Sequence, residues 1–445
     1  MPPAPRAVCK KVQHGGVRTV NVLVTGATGF LGGSIVDRLL REGHQLRCAV
    51  RDPVAAVARR PGPAYFPLDY RHATTADAWR EMLVGVEVVI NAVGILREQG
   101  DQRFDLLHRA APRALFDACV EAGVRRVLQI SALGADAGAA SAYHLSKRAA
   151  DDHLLALPLE ATVVQPSLVF GGAGASTALF ASLASMPVVA LPGGGRQRIQ
   201  PVHVDDLVEA VARLVVAAAA PRRLAVVGPA PLCLRSYLAS LRRAMGIRRP
   251  LRVLPVPIAL ARRVAVLARW WPKAPLDEDA LDMLERGNVG DPAPLTALLG
   301  EAPRAVSEFV PRPWAGGFAQ RARLAWLLPL LRATIGVMWI ATALVSFGLY
   351  PVAASLELLA RAGVPEGLRL LALYGAAALD LVLGVLCFTS WQRRRVWAAQ
   401  AALIAAYTLI ISWKLPEFWL HPYGPLTKNL PLLAALWLLY ETEPD

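Results

Sequence analysis

The stretch Val20-Asn21-Val22-Leu23-Val24-Thr25-Gly26-Ala27-Thr28-Gly29-Phe30-Leu31-Gly32 decides the fold of the first half of this chain. Its apolar, β-branched start is long enough for a buried parallel strand, and the amphipathic segment 31–41 predicts a helix directly after it. The glycines in between allow a tight turn, a close approach of backbone to a pyrophosphate and close helix packing. Because a helix N-terminus also offers N–H donors to phosphates, the stretch predicts a dinucleotide-binding domain.

The ends of the next two predicted strands bear on the choice of cofactor. Strand 45–50 runs into Arg51 and Asp52, the position where such folds read the adenosine ribose. Arg51 suits the 2′-phosphate of NADP by its charge and bidentate geometry, whereas Asp52 would bind the ribose of NAD if Arg51 were only a solvated charge. We expect NADP(H), with NAD(H) as the alternative. Asp69, after a third short strand, would accept from the adenine amine or cap the next helix.

Two further strand ends and one helix supply candidate catalytic groups. Strand 86–90 leads into the segment 91–94, whose small residues would let the nicotinamide half of a cofactor lie close to the backbone. Ser131 stands at the end of another strand, and Tyr143 and Lys147 lie one helical turn apart on one face. We expect Lys147 to lower the pKa of Tyr143, so that the phenol acts as general acid or base while Ser131 holds the substrate oxygen.

The composition separates a basic part of the chain from an apolar part. The 445 residues are 55% hydrophobic and only 18% charged, with a formal net charge of +14, whereas soluble proteins average about 25% charged residues. The basic residues are scattered in pairs without a helix-turn-helix or zinc-finger spacing, so we expect no nucleic-acid partner. The five cysteines include no CxxC, which predicts neither a disulfide framework nor a zinc site, and we expect no metal.

The last third predicts a membrane domain. Four apolar stretches, at 324–350, 368–391, 396–415 and 426–440, are close to the roughly 20 residues that a helix needs to cross a bilayer, although the last is short. Arg321, Arg323 and the run 393–395 fall on one side, which is cytoplasmic by the positive-inside rule. We therefore expect an all-α bundle of four transmembrane helices in a bacterial inner membrane, with the nucleotide-binding domain in the cytoplasm.

Two charged residues fall inside the predicted spans. Arg332 lies in the first span and Asp380 near the middle of the second, where unpaired ions are costly. They would form an ion pair with each other or belong to a quinone or proton site, and Arg332 alone would otherwise extend toward the headgroups.

With these residues in place, the first half of the chain resembles the short-chain dehydrogenase/reductase superfamily, of the extended or atypical kind that includes sugar-nucleotide epimerases and the nucleotide-binding accessory subunit of respiratory complex I. The resemblance rests on the glycine stretch, on segments 89–94, 165–171 and 199–206, and on Ser131, Tyr143 and Lys147. It implies a Rossmann-type doubly wound parallel sheet with a small substrate-binding region, and a catalytic set of those last three residues. The implied cofactor-binding residues are Gly26, Thr28, Gly29, Phe30, Leu31, Gly32, Arg51, Asp69, Asn91, Ala92, Val93, Gly94, Tyr143, Lys147 and Pro166.

The sequence departs from this family just after Lys147. It reads Arg148-Ala149-Ala150-Asp151-Asp152 where relatives often carry a glutamate, so the substrate does not carry over. The apolar third is similar to the DoxX-like membrane domain, most clearly in Trp419-Leu420-His421-Pro422-Tyr423-Gly424-Pro425-Leu426-Thr427-Lys428-Asn429-Leu430-Pro431. Members of that wider family are associated with membrane redox chemistry, including quinone reduction.

These observations divide the chain into five parts. We expect a flexible extension at 1–18, the nucleotide-binding domain at 19–221, a substrate-binding or lid region at 222–302, a linker at 303–323 and the membrane domain at 324–445. Segment 257–271, apolar with Arg262, Arg263 and Arg269 and ending in Trp270-Trp271, would lie on anionic lipid or cover the active site.

The leading functional interpretation is a membrane-anchored NADP(H)-dependent oxidoreductase that acts on a lipid-soluble carbonyl, alcohol or quinone-like substrate. A tether to the bilayer raises the local concentration only of molecules in or on the membrane. The first alternative is an NADPH-binding accessory or assembly factor of a membrane redox complex without turnover. The second is a sugar-nucleotide epimerase or dehydratase, which shares the catalytic set but gives no reason for the membrane helices.

Overall fold

The computed structural model describes residues 18–172, 174–268 and 278–443. Most of the predicted extension, and the pair Trp270-Trp271, lie outside this range. The chain forms two compact units, Met1–Ala322 and Arg323–Asp445, which are taken in turn below.

A parallel sheet of seven strands organises the first unit. Its order is β11-β6-β5-β4-β1-β2-β3, and the reversal between β1 and β4 makes it the doubly wound sheet that the sequence predicts. Three two-stranded pairs, β10-β7, β12-β9 and β13-β8, lie outside it. The strands are β1 Asn21–Thr25, β2 Gln45–Val50, β3 Ala64–Pro67, β4 Val88–Asn91, β5 Arg126–Ile130, β6 Glu160–Pro166, β7 Val169–Phe170, β8 Val188–Pro192, β9 Arg198–Ile199, β10 Val202–His203, β11 Arg223–Val226, β12 Leu232–Cys233 and β13 Arg252–Val256.

Helices cover both faces of this sheet. Its central strands are apolar on both faces, as parallel sheets require. The α-helices are α1 Phe30–Arg41, α2 Pro53–Arg59, α3 Arg80–Leu83, α4 Ala111–Glu121, α5 Ala142–Ala156, α6 Ala175–Ser185, α7 Val204–Val216, α8 Leu234–Ala244, α9 Ile258–Ala268, α10 Glu278–Arg286, α11 Ala293–Leu299, α12 Ala315–Leu344, α13 Val352–Arg361, α14 Glu366–Leu386, α15 Arg393–Lys414 and α16 Asn429–Thr442. Helices α1, α7 and α11 pack on one face, while α4 and α5 pack on the other.

One arginine of the region expected to form a lid makes ion pairs within that region. Arg262 on α9 forms ion pairs with Asp282 at 3.0 Å and with Glu285 at 2.5 Å, both on α10. Leu260 and Val264 of α9 are exposed. Of the basic residues that the sequence offered to anionic lipid, Arg262 is therefore neutralised within the lid itself.

Residues 303–323, the expected linker, include apolar side chains that pack in a core. Phe309 and Val310 are only 2% and 5% exposed, and they pack with Ala319 and Ala322 in the core formed around α6 and α8. The Phe309 ring stacks on Phe170 with a centroid distance of 4.9 Å. Apolar side chains spaced among the prolines thus bind this segment to the first unit.

The second unit contains the membrane-spanning helices. Three helical stretches in the described residues are long and apolar enough to cross a bilayer: Arg312–Leu349, Glu366–Leu386 and Arg393–Lys414. The predicted fourth span does not reach that length. Helix α16 has 14 residues, or about 21 Å at 1.5 Å per residue, against about 30 Å of hydrocarbon. It begins only at Asn429 because residues 424–428 form a turn, in which the N–H of Lys428 donates to the Gly424 carbonyl.

Of the alternatives left open for Arg332 and Asp380, an ion pair between the two does not form. Arg332 instead forms an ion pair with Glu443, and the second carboxylate oxygen of Glu443 lies 3.8 Å from Arg393. Glu443 is 8% exposed, so one buried carboxylate neutralises a cation of the first span and a cation at the start of α15. Asp380 is buried, and its Oδ1 has no hydrogen-bond partner among the described residues.

This ion-pair cluster predicts the stability of the second unit. Glu443→Gln would leave two arginines without their counter-charge, and breaking a buried pair on one side costs about 3 to 5 kcal/mol. We expect a clear fall in the thermal unfolding midpoint of the detergent-purified protein. Glu441→Gln, which changes an exposed glutamate of the same helix, is the matched control. Equal midpoints for the two variants would contradict the role given to Glu443.

Candidate functional site

The predicted site residues lie along one edge of the large sheet. The glycine stretch follows β1, Arg51 follows β2, Asp69 follows β3, Ser131 follows β5, and Pro166 is the last residue of β6. Since all these strands are parallel, their carboxyl ends meet at the same edge. That edge is where open α/β sheets bind their ligands, at the point where the strand order reverses.

The glycine loop fits a bound dinucleotide by its shape. Gly26 has a φ of +70°, and a Cβ there would lie 2.7 Å from the carbonyl oxygen of Ala92. A Cβ on Gly32 would lie 2.2 Å from the carbonyl oxygen of Gly26, so the start of α1 packs directly on the loop. Gly29, at the N-cap of α1, provides no side-chain cap for the first turn, whose N–H groups can then bind phosphate.

Four residues of the predicted cofactor set, Thr28 to Leu31, lie in this loop or at the start of α1. Thr28 and Gly29 are exposed, Leu31 is half-buried, and the ring of Phe30 packs against Gly171 and Gly174. Pro166 is buried, and its carbonyl accepts a hydrogen bond from Leu133.

The end of β2 separates the two candidate readers of the adenosine ribose. Asp52 is the N-cap of α2, and its side chain accepts a hydrogen bond from the Ala55 N–H at 3.0 Å. Arg51 is exposed. Near them Arg60 donates to the carbonyl of Ala27 at 3.1 Å, which attaches the end of α2 to the glycine loop. The carboxylate of Asp52 is therefore engaged in capping, whereas Arg51 faces solvent.

Asp69 is held by its neighbour Arg71. It accepts bonds from the Arg71 guanidinium at 2.6 Å and from the Arg71 N–H at 3.0 Å. These bonds lower the pKa of Asp69 to about 2. At neutral pH this carboxylate is therefore ionised, and it is a hydrogen-bond acceptor just beyond the end of β3.

The side chain of Asn91 points into the sheet. Its Oδ1 accepts from Thr25 at 2.6 Å and from Tyr70 at 2.8 Å, and its Nδ2 donates to Gln129 at 2.7 Å. Asn91 is fully buried, so this residue of the predicted cofactor set can meet a nucleotide only through its backbone. Ala92, Val93 and Gly94, which follow it, are partly or fully accessible.

Lys147 extends from α5 to the ends of β4 and β5. Its Nζ donates to the carbonyls of Val93 at 3.1 Å and Ile130 at 3.2 Å, which leaves one of its three N–H groups for a ligand. A Cβ on Gly94 would lie 2.9 Å from this Nζ. Burial lowers the pKa of Lys147 to about 8, against the opposing effect of the negative charge of Asp151.

The phenol of Tyr143 is more basic than the sequence suggested. Burial raises the pKa of Tyr143 to about 12, and the negative charge of Asp151 adds to the rise. The lowering of this pKa by the charge of Lys147, which the sequence predicts, stays a prediction. The phenol is fully protonated at neutral pH and can act as a proton donor.

Ser131 is buried, and its hydroxyl is bonded to a carboxylate of the protein. It is 4% exposed, and its Oγ donates its one hydrogen to Asp151 Oδ2 at 2.5 Å. Asp151 is fully buried, and sequence reasoning gave it no role in the site. The sequence did contain a signal for Asp151. Positions 143, 147 and 151 are each one helical turn apart, so their side chains share one face of α5.

A second side chain that sequence reasoning missed is His108. Its Nε2 accepts from the Ile95 N–H at 3.0 Å, and its Nδ1 lies 2.9 Å from the hydroxyl of Ser146. The Ser146 hydroxyl donates to the Tyr143 carbonyl at 2.8 Å, so His108 carries its hydrogen on Nδ1. Burial and the charge of Lys147 lower the pKa of His108 to about 2, and the neutral ring fixes the loop after β4 to α5.

Comparison with curated proteins matches mainly the first unit. A ceramide reductase of Caulobacter vibrioides is 32% identical over 200 residues, which are 44% of this chain and 59% of that protein. The mitochondrial NADH dehydrogenase [ubiquinone] 1 alpha subcomplex subunit 9 of Mus musculus is 32% identical over 199 residues, or 43% of this chain and 52% of that protein. The chain thus spans between half and three fifths of the length of these two relatives.

Solved structures share the fold of this unit. The crystal structure of gox2253 superposes with a TM-score of 0.53 at 23% identity, covering 68% of this chain and 99% of that one. The NADPH-dependent quinone oxidoreductase QOR2 of Escherichia coli, complexed with NADPH, gives a TM-score of 0.51 at 19% identity, covering 65% and 98%.

Family models match both parts of the chain. Residues 22–228 match the NAD dependent epimerase/dehydratase family, and residues 336–437 match the DoxX-like family. The first family implies a nicotinamide cofactor and an oxidoreductase type of enzyme, and the second agrees with the apolar helices of a membrane protein. Residues 22–228 thus resemble an NAD-dependent, epimerase-like domain of the short-chain dehydrogenase/reductase type, and residues 336–437 resemble a DoxX-like membrane domain.

Proposed function

We propose that this protein is a membrane-anchored NADP(H)-dependent reductase of a lipid-soluble carbonyl compound, working at the cytoplasmic face of a bacterial inner membrane. The observation that carries the proposal is geometric: Tyr143 and Lys147 lie one helical turn apart on α5, and the Lys147 ammonium is bonded to the carbonyls of Val93 and Ile130. The other unit of the same chain has helices long enough to span a membrane. Retention of both groups favours an enzyme, because binding a nucleotide needs the glycine loop but no proton donor.

The membrane helices support an apolar substrate. A domain tethered to a bilayer meets lipids at high effective concentration, whereas the tether gives no advantage with a freely soluble sugar nucleotide. The relative named ceramide reductase supports a lipid carbonyl as the substrate class, and a quinone-like ring is the other member of that class. The runs of arginine around the first and third spans support a cytoplasmic position for the nucleotide site.

The residues of this chain divide the chemistry of reduction between them. The glycine loop would hold a nicotinamide nucleotide, which would supply a hydride for the carbonyl carbon. Tyr143 donates its proton to the carbonyl oxygen, so that the carbonyl becomes an alcohol and the phenolate is reprotonated from solvent. Lys147 stabilises the phenolate by its charge and uses its remaining N–H to hold the nucleotide. The glycine loop and Arg51 bind the phosphates.

One observation favours a second candidate, an accessory subunit of a membrane redox complex. The matched relatives include subunit 9 of the mitochondrial NADH dehydrogenase alpha subcomplex. In that role the protein would bind NADPH tightly without turnover.

Transfer of deuterium tests the reductase directly. The detergent-purified full chain receives NADPH deuterated at either face of the nicotinamide C4, together with a total membrane lipid extract. We expect deuterium in one lipid alcohol by mass spectrometry. Because a positioned general acid contributes about 10²- to 10⁴-fold to rate, Tyr143→Phe should reduce labelling by that factor.

The control for this experiment is Tyr374→Phe, which removes the hydroxyl of an exposed tyrosine on α14 and should leave labelling unchanged. Bound NADPH with no labelled lipid, and a partner protein recovered only in the presence of NADPH, would reject the reductase and support the accessory subunit.

Arg51 decides the cofactor if the proposal is right. Arg51→Ala should weaken NADPH binding by about tenfold or more, since a hydrogen bond to a charged group contributes about 1.5 to 3 kcal/mol. NADH lacks the 2′-phosphate, so its dissociation constant should not change. Fluorescence titration of both nucleotides measures the two constants.

Arg59→Ala, at an exposed arginine in the last turn of α2, is the matched control for loss of one positive charge. A wild-type protein that binds NADH as tightly as NADPH, with equal losses for both in Arg51→Ala, would show that the cofactor is NAD(H).

A further inference from the structure

The buried carboxylate of Asp151 is surrounded by polar groups that face it from several elements. Its Oδ2 accepts from Ser131 at 2.5 Å and lies 4.0 Å from the guanidinium of Arg223 on β11. Lys147 lies one turn earlier on α5, at the i, i+4 spacing that puts two side chains on one face, and both residues are buried. Its Oδ1 is buried without a hydrogen-bond partner among the described residues.

Burying an ionised carboxylate costs free energy, and a nearby opposite charge reduces that cost. Asp151 has no exposed surface, and isolated buried charges are strongly unfavourable. The ammonium of Lys147 is likewise buried, at 3% exposure, and its hydrogen bonds go to neutral carbonyls. Each of these two charges reduces the cost of burying the other.

We propose that Asp151 is a positioning residue of the site: its carboxylate keeps the Lys147 ammonium charged and in place beside the ends of β4 and β5, and it takes the hydroxyl hydrogen of Ser131 for this purpose. Ser131 acts through Asp151 and does not bind the substrate. The inference rests on the proposed function at one point, the contact between Lys147 and the nucleotide.

The surrounding groups allow the titration of this pair to be observed. Tyr143 on α5 and His108 on the segment Asp105–Ala110 are both neutral near pH 7, because burial raises the pKa of Tyr143 to about 12 and lowers the pKa of His108 to about 2. Asp152 is half exposed and pairs with Arg223 at 2.8 Å, on the solvent side of Asp151.

The first test is the pH dependence of NADPH binding by the detergent-purified full chain. The wild-type affinity should fall as the pH rises above about 8, where Lys147 loses its proton. In Asp151→Asn the nearby negative charge is gone, so the midpoint of this fall should move down by about one pH unit. Ser131→Ala should move the midpoint in the same direction by less, because Asp151 then loses the bond that favours its ionised form.

Asp152→Asn is the matched control, since it removes the neighbouring carboxylate without touching Ser131, and its binding curve should follow the wild type. An Asp151→Asn curve that superposes on the wild-type curve would overturn the inference.

The second test needs no nucleotide. Burial raises the pKa of Asp151 to about 6, above the value of about 3.9 in an unfolded chain. Between these values the folded protein binds more protons than the unfolded one, so stability falls as the pH rises from about 4 to about 6. Asp151→Asn lacks this group. Its unfolding midpoint, measured relative to that of the wild type, should therefore rise as the pH increases across that window. The midpoint of Asp152→Asn relative to the wild type should stay constant.

These two tests separate the inference from the proposed function. A wild-type protein that fails to bind NADPH would reject the function, and the unfolding midpoints would still show whether Asp151 is a buried carboxylate with a raised pKa, on which the inference depends. A difference in midpoint between Asp151→Asn and wild type that is the same at pH 4 and pH 7 would reject that role.

Discussion

The buried amide of Asn91 is the constraint on which the rest of the site depends. It accepts hydrogen bonds from Thr25 and Tyr70 and donates to Gln129, so it joins the carboxyl ends of β1, β4 and β5 in one network. A buried polar group left without a partner costs about 1 to 3 kcal/mol, and this network therefore resists any sliding of the strands. The glycine loop, the segment after β4 and the start of the loop that follows β5 take their positions from these strand ends.

Burial of charge on this framework sets the chemistry. The same removal of water raises the pKa of Tyr143, lowers that of Lys147 and raises that of Asp151. A protonated phenol next to an ammonium is suited to protonate an oxygen on which negative charge develops, because the ammonium then interacts with the phenolate that is left. This is the arrangement that the proposed reduction of a carbonyl needs at neutral pH, with the phenol starting in the acid form.

Local patterns in the sequence predicted the sheet edge and much of the candidate site, whereas the contacts between residues distant in the chain could not be predicted from them. The glycine stretch and the helical spacing of Tyr143 and Lys147 are short-range features, so the sheet edge and both side chains could be placed. The hydrogen bond of Ser131 with Asp151 depends on how deeply α5 is buried against β5, and the spacing of residues in the sequence does not predict that depth. The ion pair of Arg332 with Glu443 joins residues far apart in the chain, and the apolar content of 303–323 was hidden among its prolines.

The commitment of Ser131 to Asp151 also bears on the substrate. A hydroxyl that donates to a substrate oxygen would bind a ligand by polar contact, and a site with such donors rejects substrates that lack the matching group. Here that hydroxyl is used inside the protein, and Tyr143 is the member of the predicted catalytic set that can still donate. Under the proposed function, recognition then depends more on apolar contact with the rest of the ligand. Apolar contact stabilises buried hydrocarbon, which agrees with the lipid-soluble substrate class proposed above.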